Sequence, residues 1–178
     1  MDGDETSGTA ALDSANQNAS ARILGVNCDP HAAFLAAVQG GAVVDGLPER
    51  LKPPEGMELG DRLLEFVDEV RRVIGRVGPS RVGMLLPESG KHQPPHKSIS
   101  SRVTIETLVR VAAAQEGVPV DLLARATVRA RLQLPKKGAL STHLDAGAGP
   151  PVGKYWTTGR GLAAMVGRAV EVDSAPAG

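Results

Sequence analysis

The chain has 178 residues, and its 20 Lys plus Arg balance 20 Asp plus Glu, so no overall basic field draws it to nucleic acid. Hydrophobic residues make up 42% and aromatics only 2%, which predicts one domain of middling size with a core of Val, Leu, Ile and Ala. A single cysteine, Cys28, excludes an intramolecular disulfide. No run approaches the roughly 18 apolar residues of a membrane span, and no basic-then-apolar signal pattern opens the chain. The expectation is a soluble cytoplasmic protein.

Residues 1–20 are small, polar and acidic without periodicity, which predicts a disordered tail. Residues 173–178 predict a short disordered end for the same reason, leaving a domain over 21–172. That domain opens with an apolar strand from Arg22 to Cys28 containing Gly25, followed by an Asp29-Pro30-His31 turn. Ala33 to Val38 predicts a second strand. Ala and Leu also favour helices, but the shortness of the run and the Gly40-Gly41 turn after it favour the strand. Ala42 to Val44 is a third, and two close turns joining three short apolar runs predict an antiparallel meander.

Gly46 to Glu58 is a loop with three prolines. A helix follows from Asp61 to about Arg76, with Leu63, Val67, Val70 and Ile74 facing inward and Asp68 and Arg72 paired outside. Val82, Met84, Leu85 and Leu86 predict a buried strand, which Pro87 stops, placing Glu88 at its C-terminal end. Residues 89–97 are a loop with Gly90, Pro94 and Pro95. Ser100 or Ser101 can cap the next helix, whose Ile105, Leu108, Val109 and Ala112 share one face, with Glu106 and Arg110 paired on a more polar side. Gly117 ends it, and Val118-Pro119-Val120 starts another strand. Strand, helix and strand at this spacing predict a right-handed crossover between parallel strands, with functional groups at the strands' C-terminal ends. Ala124 to Leu132 predicts a short helix, residues 135–138 a turn, residues 147–153 a flexible stretch, and Gly159 to Val170 a last Ala-rich helix packing through Leu162, Val166 and Ala169.

Several side chains have two readings. His92 and His96 resemble a ligand pair, but in a Pro-rich loop they read as exposed, and His31 and His143 make no zinc spacing with them. Cys28 has no adjacent His or basic motif, which favours a small buried hydrophobe over a nucleophile. Arg125, Arg129 and Arg131, with Lys136 and Lys137, either touch phosphates or form a solvated helix face. Tyr155 and Trp156 either stack a base or, as the better reading, anchor the last helix. There is no P-loop, GxSxG or dinucleotide fingerprint.

The order β-β-β-α-β-α-β-α-α resembles the ribonuclease H-like arrangement. ILGVNCDPHAAFLAAV resembles the first hairpin of the RuvC-type Holliday-junction resolvases, where Ile-Leu-Gly-Ile-Asp-Pro-Gly opens the chain. VGMLLPE is similar to their fourth strand, which ends in a glutamate, and TLVRVAAAQEGVPVDLLARATVRARL to the helix, strand and short helix that follow; the resemblance runs over roughly residues 21–170. It implies an α/β fold, with a three-stranded antiparallel meander, then parallel strands, and helices on both faces. It also implies two divalent metals, Mg²⁺ or Mn²⁺, held by carboxylates from the first strand, fourth strand and last helix, which activate water for phosphodiester cleavage.

On that pattern Glu88 carries over, and Asn27 stands where the first-strand acid belongs, with Asp29 two residues later as its substitute. Thr157-Thr158-Gly159-Arg160 occupies the place of the last-helix acids, and Asp145 and Glu171 are the nearest carboxylates. The implied catalytic residues are Glu88 and Asp29, the metal ligands Glu88, Asp29 and Asp145, and the nucleic-acid contacts Arg125, Arg129, Lys136, Lys137 and Arg160. The expected function is a divergent DNA- or RNA-binding or -processing protein with weak or lost metal-dependent endonuclease activity, and no cofactor if inactive. The alternative is a non-catalytic protein-interaction or regulatory module on the same scaffold.

Overall fold

The computed structural model describes residues 21–87 and 95–174. The tail expected at residues 1–20, the last four residues, and the loop segment holding Glu88 and His92 lie outside the described residues.

Six strands form one sheet: β1 (Ile23–Cys28), β2 (Ala33–Gln39), β3 (Ala42–Val44), β4 (Arg50–Leu51), β5 (Arg81–Leu85) and β6 (Val120–Leu123). Its order is β3-β2-β1-β5-β6, with β4 added on β2. β1, β2 and β3 are the expected antiparallel meander, and β5 and β6 run parallel to β1. Five α-helices accompany them among the described residues: α1 (Leu59–Val77), α2 (His96–Gln115), α3 (Arg125–Arg131), α4 (Leu144–Gly147) and α5 (Gly161–Ser174). A π-helical turn, Trp156–Arg160, leads into α5.

Helices cover both faces of the sheet. Leu24, Val26, Ala33, Leu35 and Ala37 pack under α1 and α2, while Ile23, Ala36 and Leu85 pack under α5. This explains why β1 and β2 are buried along almost their whole length rather than alternating: a strand covered on both faces has no solvent side. Ala33 to Val38 is the expected strand, with Ala33, Leu35 and Ala37 buried on one face and Ala36 on the other.

α5 crosses the sheet at its glycines. A Cβ on Gly25 would land on the Ala163 carbonyl oxygen, and one on Gly83 would sit 2.8 Å from Val170 Cγ2. From the helix side, a Cβ on Gly167 would lie 3.4 Å from the Gly25 nitrogen. Helix backbone therefore rests almost directly on strand backbone, a separation only glycine allows.

Some boundaries differ from those expected. α1 begins at Leu59, where the Glu58 carboxylate accepts from Gly60 N at 3.3 Å. Its buried face is Phe66, Val67, Val70, Val73, Ile74 and Val77, and Leu63 is only half-buried. α2 begins at His96, before either serine, because the Pro95 carbonyl already accepts from Ser98 N and Ile99 N. Glu106 pairs with Arg102 at 2.7 Å, so the partner lies one turn before it, where Arg110, one turn after, was expected. Asp68 likewise pairs with Arg71, and Arg72 with Glu65. α5 continues to Ser174, into the stretch expected to be disordered. No helix among the described residues is long and apolar enough to cross a membrane.

Candidate functional site at the sheet edge

The parallel strands β1 and β5 end side by side, with Asn27 opposite Leu85 on β5 and Phe34 on β2. Asn27 is buried, 6% exposed, and its Nδ2 donates to the Gly159 carbonyl at 3.5 Å. This bond ties the end of β1 to the π-helical turn before α5. It also gives a physical reason for an amide at this position, because an ionised carboxylate has no proton to donate and would face the Gly159 oxygen with a lone pair. Leu85, beside Asn27, is fully buried. Glu88, three positions further along, lies outside the described residues.

The other candidates are dispersed. Asp29 Oδ1 accepts from both His31 N and Ala32 N at 2.7 Å, an Asx turn that folds the β1–β2 connection. Asp145 is exposed on the short α4. Glu171 accepts from Gly40 N and Gly41 N at 2.6 and 2.8 Å, so it fastens the β2–β3 turn at the opposite end of the sheet from Asn27.

Arg160 requires a correction. The resemblance put it on a phosphate-facing surface, but it is 2% exposed. Its Nη1 donates to Glu49 Oε1 at 2.9 Å and to the Val152 carbonyl at 2.8 Å, and its Nε to the Leu35 carbonyl at 3.3 Å. Glu49 Oε2 accepts from Tyr155 N at 3.2 Å. A buried guanidinium needs a counter-charge, and the chain supplies one from the Pro-rich loop just before β4. No local spacing signals this pair, whose members are 111 residues apart.

The expected basic group also divides. Arg129 donates to the carbonyls of Pro135, Lys137 and Gly138, so it braces the 135–138 turn. Arg131 pairs with Asp173 at 2.8 Å. Lys136 and Lys137 are exposed, and Arg125 is half-buried. Trp156 is buried in the α5 cluster, in keeping with an anchor.

Neither a protein-family model nor a curated protein matches the sequence. Among solved structures, Thermus thermophilus RuvC in complex with a Holliday junction substrate is similar over 85% of this chain and 93% of that one, with a TM-score of 0.65 and 16% identity. The fold is RuvC-like. A second Thermus thermophilus RuvC structure has the same coverage and identity, with a TM-score of 0.64. At such identity the likeness is one of fold, and the chemistry of the edge must be argued from its own residues.

Hard divalent cations require converging oxygen ligands with negative charge. Among the described residues no group of three His, Cys, Asp or Glu could hold a metal ion. At the end of β1 this RuvC-like chain offers a neutral amide committed to Gly159, a turn aspartate and a buried leucine. Among the described residues that set holds one carboxylate, fewer than the converging acids a two-metal centre needs.

Cys28 is buried beside this edge, and burial, reinforced by the Glu106 carboxylate, pushes its thiol far above the ordinary range. Only the thiolate is nucleophilic. At about pH 8 the folded protein is therefore expected to be inert toward a disulfide-exchange reagent such as Ellman's, and to react with one equivalent in denaturant. Rapid reaction of the native protein would show that the site opens.

Proposed function

We propose that this protein binds nucleic acid on its RuvC-like scaffold and has weak or lost metal-dependent cleavage. The observation that carries the second half is the Asn27 amide, which donates to Gly159 where the resemblance calls for a metal-binding acid. The binding half is supported by the scaffold, shared with a resolvase whose structure was solved on a Holliday junction substrate. Exposed Lys136 and Lys137 supply cations suited to phosphate contact.

The test is fluorescence anisotropy with four-way junction, duplex and single-stranded probes, DNA and RNA, followed by incubation of each with Mg²⁺ and with Mn²⁺. The expected result is binding that weakens steeply with salt and little or no product. Robust turnover, abolished by Glu88→Ala, would overturn the reading and return Asp29 and Glu88 to the role of ligands.

A second reading, a protein-interaction module, is favoured by one observation. Ile99, Val103 and Val111 are exposed at helical spacing along α2, an apolar row on an otherwise solvated face. Failure to bind any nucleic acid at low salt would leave this reading standing.

A further inference from the structure

Of the four aromatic residues, two Phe, one Trp and one Tyr, Phe34, Phe66 and Trp156 are buried and only Tyr155 reaches solvent. It sits at the same sheet edge as Asn27. Phe34 is the cross-strand partner of both Asn27 and Arg50, and its ring centroid lies 6.1 Å from that of Tyr155. Two cations flank the Tyr155 ring, with Arg50 Cζ 5.6 Å and Lys154 Nζ 5.4 Å from its centroid.

The backbone around Tyr155 is held firmly. Its N–H donates to Glu49, and its carbonyl accepts from Gly159 N and Arg160 N at 3.1 and 3.0 Å. Glu49 is already committed to Arg160, while Arg50 and Lys154 lie against the Tyr155 ring. Arg50 Nε is buried with no hydrogen-bond partner among the described residues, so it is the Nη groups that are left to meet a ligand. A fixed aromatic ring covered by cations is a combination that single-stranded nucleic acid satisfies, since a base can take a cation's place on the ring while the displaced cation meets a phosphate.

We propose that Tyr155, Lys154 and Arg50 form a contact for an unpaired nucleotide, with the ring stacking on its base and the two cations meeting its phosphates. This deepens the nucleic-acid reading above and rests on it. It assigns the selectivity for unpaired bases to the β4 side of the edge, away from Lys136 and Lys137.

The experiment measures binding of the full-length protein to a labelled oligothymidylate and to a duplex of equal length, across a salt series. Tyr155→Leu is expected to weaken oligothymidylate binding about tenfold, the scale of losing one stacked base, and to leave duplex binding nearly unchanged. Lys154→Ala should reduce the salt slope on oligothymidylate by about one. Lys52→Ala, which removes an exposed lysine paired with Glu55, should do neither. Should Tyr155→Leu misfold, Tyr155→Phe keeps the stacking face and should bind as the unaltered protein does, while the exposed Lys154 still reports. If the unaltered protein binds oligothymidylate and the Tyr155 and Lys154 variants match it in affinity and slope, this proposal fails alone. If the unaltered protein binds no nucleic acid, the parent reading fails and takes this one with it.

Discussion

Gly25→Ala is expected to destabilise the protein by about 3 kcal/mol or more, at or beyond the upper end of the usual overpacking range. The new methyl group would overlap the Ala163 carbonyl oxygen, with Ala163 C and Gly167 N at 2.8 and 2.9 Å. All three are backbone atoms, so no change of rotamer makes room. α5 would have to lift from the centre of the sheet, where it covers β1, β2 and β5. Urea denaturation measures the loss. The control is Gly75→Ala, because Gly75 lies inside α1 with nothing within 4 Å of the added Cβ. That substitution should stabilise by up to about 1 kcal/mol, the difference in helix propensity. The same chemical change is thus expected to have opposite signs at two glycines, and equal effects would mean that α5 does not lie as close to β1 as described.

The second large effect concerns Glu49 and Arg160. Glu49→Ala removes the one carboxylate that, among the described residues, pairs with a guanidinium that is 2% exposed. Breaking a buried pair from one side costs about 3–5 kcal/mol. The lower end is expected here because the Glu49 side chain is 24% exposed and water can partly replace it. The double variant Glu49→Leu with Arg160→Met should recover much of that loss, since it leaves no charge buried alone. A thermodynamic cycle over the unaltered protein, Glu49→Leu, Arg160→Met and the double variant gives the coupling directly. A cost below about 1 kcal/mol for Glu49→Ala, the level of a surface pair, would show that Arg160 is solvated in solution.

Much of the scaffold was legible because its signals are local. The meander follows from two tight turns between short apolar runs, and the parallel crossover from a strand, a periodic helix and a second strand in succession. The departure at Asn27 was visible too, since it needed only one residue to be compared with a pattern. Features that depend on distant partners were not visible. β4 has two residues, too few for any periodicity, and exists because Arg50 and Leu51 find Phe34 and Ala33. Arg160 looked like a surface cation because the loop that neutralises it is remote in the chain. The start of α2 was misplaced because serine is a good cap, yet Pro95 had already supplied the first acceptor.

The bond from Asn27 to Gly159 has a consequence for how this edge can change. An aspartate at 27 would meet the Gly159 oxygen, find Leu85 as its neighbour, and face a turn held by Arg160 and Glu49. Each of those residues is already matched to another, and the one carboxylate among them, Glu49, is committed to Arg160. Asn27→Asp alone would therefore set a carboxylate against a carbonyl, so residue 27 and the turn before α5 are coupled and would have to change together.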